Sequence, residues 1–274
     1  AGARSVVIGV APSGGALKPE WVLALGEALR AGLSIVSGLH RKLSEESALV
    51  AAAAASGQQL LDVRVPPASI PIASGRQRSG KRLLMVGTDC CVGKKYSALA
   101  LHRALKAHGV AATFRATGQT GILIAGGGIP MDAVVSDFLS GAAEILTPDA
   151  APDHWDVIEG QGSLFHPAYA AVTLGLLHGS QPDAMVLCHA VGRTEIDEYE
   201  DYPVPDLREC IAQYEQAARV TNARARVVGI SLNTQGCDEA GALNACDEIS
   251  SLTGVPCIDP MRHVLDPILD ALPG

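Results

Sequence analysis

The sequence predicts an α/β protein of two domains, each with a parallel sheet covered by helices. Short apolar runs alternate with helical segments along all 274 residues. These runs are continuously apolar, which is typical of parallel strands that are buried on both faces. A stretch rich in proline, glycine and serine, residues 66–80, separates the two halves. We therefore place a small N-terminal domain at residues 1–75 and a larger C-terminal domain at residues 76–274.

The N-terminal domain is predicted from a β-α-β-α-β order. Its strands and helices are expected at residues 6–10, 19–31, 33–36, 44–57 and 60–65. Pro19 suits the first turn of a helix, and Gly57 suits a helix end. Three parallel strands with intervening helices indicate a small Rossmann-like α/β domain.

The C-terminal domain continues this alternation. Its strands are predicted at residues 83–86, 110–115, 155–159, 184–189, 227–232 and 255–258. Its helices are predicted at residues 94–108, 132–140, 167–178, 206–220, 239–252 and 264–272. Residues 116–121 are predicted as a loop, a glycine run follows at 126–128, and the acidic stretch 195–201 is predicted as a solvated loop. Six such strands between two helical layers give a three-layer α/β/α domain.

The first strand of this domain leads into a candidate phosphate-binding loop. The loop residues are Gly87, Thr88, Asp89, Cys90, Cys91, Val92, Gly93, Lys94 and Lys95. A strand, a loop bounded by glycines and a helix N-terminus with a lysine in its first turn together favour a bound anion. Backbone N–H groups and the helix dipole point at the ligand, and the lysine adds a full charge. The domain is therefore predicted to be P-loop NTPase-like, with all of these residues except Asp89 and Cys90 touching the ligand.

The loop departs from the common G-x-x-x-x-G-K-[ST] pattern in two ways. Five residues, not four, separate Gly87 from Gly93, a spacing that resembles the loop of dethiobiotin synthetases. Lys95 stands where a hydroxyl would bind Mg²⁺. A second lysine favours a phosphate ligand that needs no metal, such as coenzyme A, and we expect no obligatory metal.

Polar side chains follow each predicted strand of the sheet, where ligands of parallel sheets bind. The candidates for proton transfer are Glu159, His166 and Asp89. The candidates for holding an acidic substrate are Arg115, Gln119 and Arg193, and Asn233 is a candidate for contacting a nucleotide base. Each has a structural alternative: amide bonds in a turn for Glu159 and Asp89, packing for His166, and ion pairs for the two arginines. A covalent acyl-cysteine at Cys90 or Cys91 is a further alternative.

Composition excludes several classes of function. The net charge of −8 and the lack of basic runs argue against nucleic acid as a partner. No apolar run approaches the roughly 20 residues that span a membrane, and no signal segment opens the chain. Seven cysteines without a CxxC pair fit a reducing cytoplasm. We expect small-molecule substrates and a homo-oligomer, a dimer or larger, because two small domains leave much apolar surface.

Several phrases, spread over both predicted domains, together resemble the DUF1611 family. They are Ser37-Gly38-Leu39-His40, Gly87 to Lys94, Thr117 to Gly121, Asp132 to Phe138, Glu159 to Leu164, His166-Pro167, Gly192-Arg193 and Leu232-Asn233-Thr234. The phosphate loop and the phrase at Glu159 are also similar to dethiobiotin synthetases, but the full set is specific.

The family resemblance implies an acyltransferase. Members of the family include D-glutamate N-acetyltransferases, which move an acetyl group from acetyl-CoA to the amine of D-glutamate. In that interpretation Glu159 or His166 deprotonates the substrate ammonium, and the free amine attacks the thioester directly. Two other hypotheses stay open. One is an ATP- and Mg²⁺-dependent ligase or kinase of the dethiobiotin synthetase type, and the other is a nucleotide-binding regulator without turnover.

Overall fold

The computed structural model describes residues 2–10, 12 and 15–274. In the N-terminal domain, three parallel strands in the order β1-β2-β3 are joined by two helices. The elements are β1 Ser5–Val7, α1 Pro19–Arg30, β2 Ser34–Ser37, α2 Ser47–Ser56 and β3 Leu60–Asp62. Leu29, Ile35, Leu43 and Leu49 are fully buried in its core. The predicted Rossmann-like order is confirmed.

The C-terminal domain contains a six-stranded parallel sheet in the order β11-β10-β7-β4-β6-β5. Its strands are β4 Lys81–Gly87, β5 Ala112–Arg115, β6 Trp155–Ile158, β7 Ala184–Ala190, β10 Arg226–Asn233 and β11 Cys257–Ile258. Its helices are α3 Lys94–Ala107, α4 Gln119–Ala125, α5 Leu139–Leu146, α6 Ala170–Ser180, α7 Leu207–Ala218, α8 Glu239–Thr253 and α9 Asp266–Asp270. Both faces of the sheet are covered, as the continuously apolar strands predict.

The two faces of β4 show how the layers are built. Leu83 and Met85 point into one core, which includes residues of α3 and α9. Leu84 and Val86 point into the other core, which includes residues of α5, α6 and α7. Because all four side chains are buried, β4 is the central support of the phosphate loop that follows it.

Three stretches differ from the sequence prediction. The predicted loop 116–121 leads into α4, which already begins at Gln119. The predicted helix 132–140 consists of short 3₁₀ turns before α5 begins at Leu139. Extended backbone at Val134 and Val135 breaks that helix, as β-branched residues favour. The acidic stretch forms an antiparallel hairpin of β8 Glu195–Ile196 and β9 Tyr199–Pro203.

A segment without helix or strand, residues 63–80, connects the two domains. The predicted boundary near residue 75 lies within this segment and stays a prediction. The buried guanidinium of Arg64 in this segment pairs with Asp132 of the C-terminal domain. Among the residues that the structure describes, no helix combines the length and apolar character needed to cross a membrane.

Candidate active site

The phosphate loop forms a tight, partly left-handed turn at the carboxyl end of β4. Cys91 and Gly93 both have positive φ values, 55° and 104°, and α3 begins directly afterwards at Lys94. The Lys94 side chain is buried, and its Nζ donates to the backbone oxygen of Asp89 at 2.7 Å. A Cβ atom at Gly87 would lie 3.0 Å from this ammonium group. The loop therefore holds the Lys94 ammonium at its centre. Gly87 lies next to this group, so only a small residue fits at position 87.

The loop opens into a cavity of about 490 Å³, here called the phosphate-loop cavity. Lys95 is half-buried and places its ammonium 4.7 Å from the ring centroid of Tyr96. The other residues that line this cavity include Cys90, Cys91, Gly93, Lys94, Gln119, Glu159, Gln161 and Asn233. Two lysine side chains and a buried carboxylate thus face one space.

Glu159 follows β6 and lies beneath the N-terminus of α4. Its Oε2 accepts hydrogen bonds from the backbone N–H groups of Thr117 at 2.9 Å and Gly118 at 3.1 Å. Burial raises the pKa of Glu159, while these hydrogen bonds and the charges of Lys95 and Lys94 act in the opposite direction. The amide hydrogen bonds of the structural alternative for Glu159 are present. The carboxylate also faces the phosphate-loop cavity.

Asp89 is fully buried and bridges the phosphate loop to the β8–β9 hairpin. Its Oδ1 accepts from the N–H of Cys90 at 2.6 Å. Its Oδ2 accepts from Arg193 Nη1 and from the backbone N–H of Asp197, both at 2.8 Å. Because both oxygens have donors, Asp89 and Arg193 are placed as a structural ion pair. The contact of Arg193 with a substrate carboxylate stays a prediction that this pair does not support.

His166 is buried near Asp89, under aromatic side chains. Its ring lies 4.4 Å from that of Tyr169 and 5.1 Å from that of Tyr199 in the hairpin. Nδ1 accepts the backbone N–H of Ala168 at 3.1 Å, and burial lowers the pKa of His166. Both observations favour a neutral ring, and because Nδ1 accepts a hydrogen bond, the proton of a neutral ring lies on Nε2, where it can be donated.

Asp89, Cys90 and His166 place three potential metal-ligand atoms within 4.8 Å of one another. The carboxylate, however, already binds a guanidinium and two backbone N–H groups. Burial raises the pKa of the Cys90 thiol to about 11, so the thiolate that a metal binds is disfavoured. These residues are a poor donor set for a divalent ion.

Two residues that support the phosphate loop were not among the sequence candidates. Thr88 Oγ1 lies 2.9 Å from Nδ1 of His189 at the end of β7, and burial lowers the pKa of His189 to about 4. Tyr214 of α7 is fully buried and donates its hydroxyl to the backbone oxygen of Gly87 at 2.7 Å. The position of His189 at a strand end was a usable signal, whereas nothing local marks Tyr214.

A second cavity, the β10 cavity, has a volume of about 400 Å³ and adjoins the phosphate loop. It is lined by Val92, Gly93, Tyr96, Ser97, Ser231, Asn233, Gln235, Asp259, Pro260, Met261 and Arg262. Asn233 Oδ1 accepts the backbone N–H of Gln235 at 3.0 Å, which fixes the amide at the cavity wall. Asn233 therefore lies beside the phosphate loop, where a nucleotide base would have to bind.

A third cavity, the interdomain cavity, has a volume of about 540 Å³. The N-terminal domain and its connecting segment supply Gly38, Leu39, His40 and Arg64, and the C-terminal wall includes Cys90, Cys91, Gln119, Asp132 and Gln161. Gln119, predicted as a substrate residue, lines both this cavity and the phosphate-loop cavity. The sequence prediction missed Arg64, which lies outside the strand ends of the large sheet.

Arg115 lies apart from these groups. It ends the edge strand β5, and its Nε donates to Oδ1 of buried Asp156 at 2.7 Å. It is not among the described residues that line any of the three cavities. The structure therefore favours the structural alternative, an ion pair that neutralises Asp156, over a contact with substrate.

The fold and the site define a class: a P-loop domain without the usual metal-binding hydroxyl, joined to a Rossmann-like domain, with a cavity between the two. A family model described as a domain of unknown function, the DUF1611 C-terminal P-loop domain, matches residues 71–269. The model of the DUF1611 N-terminal Rossmann-like domain matches residues 1–66. The chain belongs to the DUF1611 family, as the sequence resemblance predicts.

Proteins similar to this chain span nearly all of it. It is 50% identical over 272 residues to a protein of Tritonibacter scottomollicae named D-glutamate N-acetyltransferase, covering 99% of this chain and 82% of that protein. A Pseudoalteromonas protein of the same name is 48% identical over 268 residues, covering 98% and 81%. A crystal structure of a DUF1611 family protein from Anabaena variabilis ATCC 29413 matches with a TM-score of 0.92 and 41% identity, covering 98% of this chain and 79% of that one.

Proposed function

We propose that this protein is an N-acetyltransferase that moves the acetyl group of acetyl-CoA to the amine of D-glutamate. The observation that carries the proposal is the layout of the three cavities. The phosphate-loop cavity shares Gly93, Tyr96, Asn233 and Gln235 with the β10 cavity. It shares Cys90, Cys91, Gln119, Gln161 and Gly162 with the interdomain cavity. The phosphate-loop cavity thus connects the β10 cavity with the interdomain cavity. This arrangement suits a reaction between two substrates.

Acetyl-CoA, the acetyl donor, would bind at the phosphate loop and in the β10 cavity. Lys94, Lys95 and the loop amides would bind the diphosphate of acetyl-CoA, which needs no metal ion there. The nucleoside would lie in the β10 cavity against Asn233 and Tyr96, as predicted for Asn233. The name of the two similar proteins supports an acetyl donor, and the pair of lysines supports coenzyme A as its carrier.

The reaction requires a free amine and a stabilised oxyanion. The amine of the acceptor attacks the thioester carbonyl, the new C–N bond forms, and the C–S bond of acetyl-CoA then breaks. The amine loses a proton to a base, and the departing thiolate takes up one. Backbone N–H groups of the loops around the phosphate-loop cavity would stabilise the oxyanion.

Glu159 is our candidate for the base. Both oxygens of Asp89 have donors, and the Nε2 of His166 carries a proton. Glu159 faces the phosphate-loop cavity, and its burial raises its pKa toward that of a useful base at neutral pH. His166 is then a hydrogen-bond donor rather than a base.

The direct test is coenzyme A release from acetyl-CoA with D-glutamate, measured by chromatography in EDTA and without ATP. We expect release that depends on D-glutamate and survives the chelator, because the proposed donor site uses lysines instead of Mg²⁺. Lys94→Ala should raise the KM for acetyl-CoA about 10- to 100-fold, the loss expected for one charge-assisted phosphate contact. Lys106→Ala, at the far end of the same helix, is the matched control.

Two results would contradict the proposal. Formation of ADP from ATP and Mg²⁺, with no coenzyme A release, would place the protein with the ATP-dependent ligases. An unchanged KM for acetyl-CoA in Lys94→Ala would remove the phosphate loop from donor binding. A cytoplasmic location and a homo-oligomer remain proposals; all seven cysteines are free in the structure, which supports the former.

A further inference from the structure

The interdomain cavity contains a buried cation that the mechanism above does not use. Arg64 is 7% exposed at its side chain and lies in the segment that leaves the N-terminal sheet. A guanidinium at this depth is rare unless carboxylates or other acceptors compensate its charge. The contacts of its individual nitrogen atoms therefore show how much of its binding capacity remains for a ligand.

Part of the guanidinium is held by protein atoms. Nε donates to the backbone oxygen of Gly38 at 2.9 Å. Nη1 pairs with Oδ2 of Asp132 and lies 3.2 Å from Nε2 of His40. Nη2 has no hydrogen-bond partner within the part of the chain that the structure describes. The group is fixed in position by Nε and Nη1, and no hydrogen bond from a described residue occupies Nη2.

One ion pair, between Arg64 and Asp132, dominates the charge around this cavity. Among its described lining residues, Arg64 is the one permanent cation and Asp132 the one carboxylate. Burial and the nearby Arg64 lower the pKa of His40, which disfavours its charged form. Asp132 is itself about a quarter exposed and is shared between Arg64 and, at 3.9 Å, His40. An incoming carboxylate would bind Arg64 beside Asp132, as a second partner that uses Nη2.

We propose that Arg64 binds the side-chain carboxylate of the acidic amino-acid acceptor, an assignment that rests on the proposed function. The reacting amine must lie at the phosphate loop, on the C-terminal wall that Cys90 and Cys91 form. Arg64 comes from the N-terminal side of the interface, so it meets the end of the acceptor that is remote from the amine. A fixed guanidinium that offers N–H groups to a carboxylate distinguishes an acid from its amide.

The test compares D-glutamate with D-glutamine, which has an amide in place of the side-chain carboxylate. We expect wild-type protein to prefer D-glutamate strongly in kcat/KM. In Arg64→Gln this preference should fall about 10- to 100-fold, the factor that corresponds to a lost hydrogen bond between charged groups. The KM for acetyl-CoA should stay within about twofold, since Arg64 does not line the donor cavities. Arg41→Gln, an exposed arginine of the same domain, should behave as wild type.

A purely structural role for Arg64 is tested with Asp132→Asn. This variant removes the interdomain ion pair but leaves the guanidinium in the cavity. The proposal predicts that Asp132→Asn keeps the preference for D-glutamate, and that Arg64→Lys, which keeps the charge without the planar fork, loses part of it. If Asp132→Asn loses the preference as fully as Arg64→Gln does, the pair only holds the domains together and the proposal is wrong.

Failure of this inference differs from failure of the proposed function. Wild-type protein that releases no coenzyme A with D-glutamate would contradict the function itself. Wild-type turnover with an unchanged D-glutamate to D-glutamine ratio in Arg64→Gln would overturn only the assignment of Arg64. If Arg64→Gln does not fold, the contrast between Arg64→Lys and Asp132→Asn still decides the question.

Discussion

Two buried carboxylates beside the phosphate loop, Asp89 and Glu159, differ in what surrounds them. Asp89 is bound to a guanidinium and to backbone N–H groups on both oxygens. The hydrogen bonds to Glu159 come from two amides on a single oxygen, and the side chain faces a cavity that also contains two lysines. A paired carboxylate holds structure in place, whereas a carboxylate that faces the substrate space is available for proton transfer.

This difference predicts the effect of Glu159→Gln. The amide keeps an oxygen for the Thr117 and Gly118 N–H groups but cannot take a proton, so kcat should fall about 10²- to 10⁴-fold. In wild-type protein, kcat/KM should decrease as the pH falls through the pKa of Glu159, because the protonated carboxyl is no longer a base. Since burial raises that pKa, the decrease should begin at a higher pH than for an exposed carboxylate. A pH–rate profile measures it.

Glu144→Gln is the matched control, because Glu144 also accepts two backbone N–H bonds, from Ser74 and Gly75, but lies on α5 away from the cavities. It should leave kcat and the pH profile unchanged. If Glu159→Gln still shows the wild-type decrease of kcat/KM at low pH, the base is another group.

At the scale of single residues, the sequence predicts what is local and misses what is distant. Gly93 and Lys94 adjoin each other, so the strand–loop–helix pattern was enough to place the lysine at an anion site. Asp89 and Arg193 are 104 positions apart, and only the fold shows that they pair. The same holds for Arg64 and Asp132, whose pairing depends on how two domains meet.

At the scale of elements, α4 is the helix that positions Glu159. The helix begins just after the two amides that bind the carboxylate, and Gly121 lies against the carboxylate itself. Its sequence, Gln-Thr-Gly-Ile-Leu-Ile-Ala, contains a glycine and three β-branched residues, which lower helix propensity. Local propensity therefore favoured a loop, and the contacts with Glu159 account for the helix that forms.

Gly121→Ala tests this role of α4. A Cβ atom there would overlap the Glu159 carboxylate, so either the helix or the carboxylate must move. We expect kcat to fall about 10²-fold and the free energy of unfolding to decrease by about 1–3 kcal/mol, as overpacking does. Steady-state kinetics and urea unfolding measure the two effects.

Gly127→Ala is the control, six residues after Gly121 and two beyond the end of α4, because a Cβ atom there meets no atom of the described residues within 4 Å. It should change the free energy of unfolding by no more than about 0.5 kcal/mol. Equal losses in the two variants would mean that this glycine-rich stretch tolerates no alanine in general, and the contact of Gly121 with Glu159 would not be the cause.

At the scale of the whole molecule, the fold was predictable and the interdomain cavity was not. The apolar runs that alternate with helical segments, and the residues that cap the helices, are local signals. Both parallel sheets follow from them. The cavity needs the docking of one domain on the other, which rests on few contacts of widely separated residues. One of these is the close approach of Gly38 to Gln119, where a Cβ atom at Gly38 would lie 2.6 Å from Cγ of Gln119.

Gly38→Ala is therefore expected to act on the acceptor and not on the donor. Because the methyl group would press on the Cβ and Cγ atoms of Gln119, the N-terminal domain must shift relative to α4, and the walls of the interdomain cavity move apart. The KM for D-glutamate should rise about 10- to 100-fold, as a displacement near 1 Å can cause. The KM for acetyl-CoA should stay within about twofold, because the phosphate loop and the β10 cavity belong wholly to the C-terminal domain.

Gly9→Ala, in the same domain with no atom of the described residues within 4 Å of its Cβ position, should leave both constants unchanged. The decisive quantity is the ratio of the two KM values. If Gly38→Ala raises both KM values equally, the two domains act on the substrates as one unit and the acceptor does not bind between them. If only the KM for D-glutamate rises, the N-terminal domain serves to form the acceptor wall, which explains why the P-loop domain is joined to a second domain.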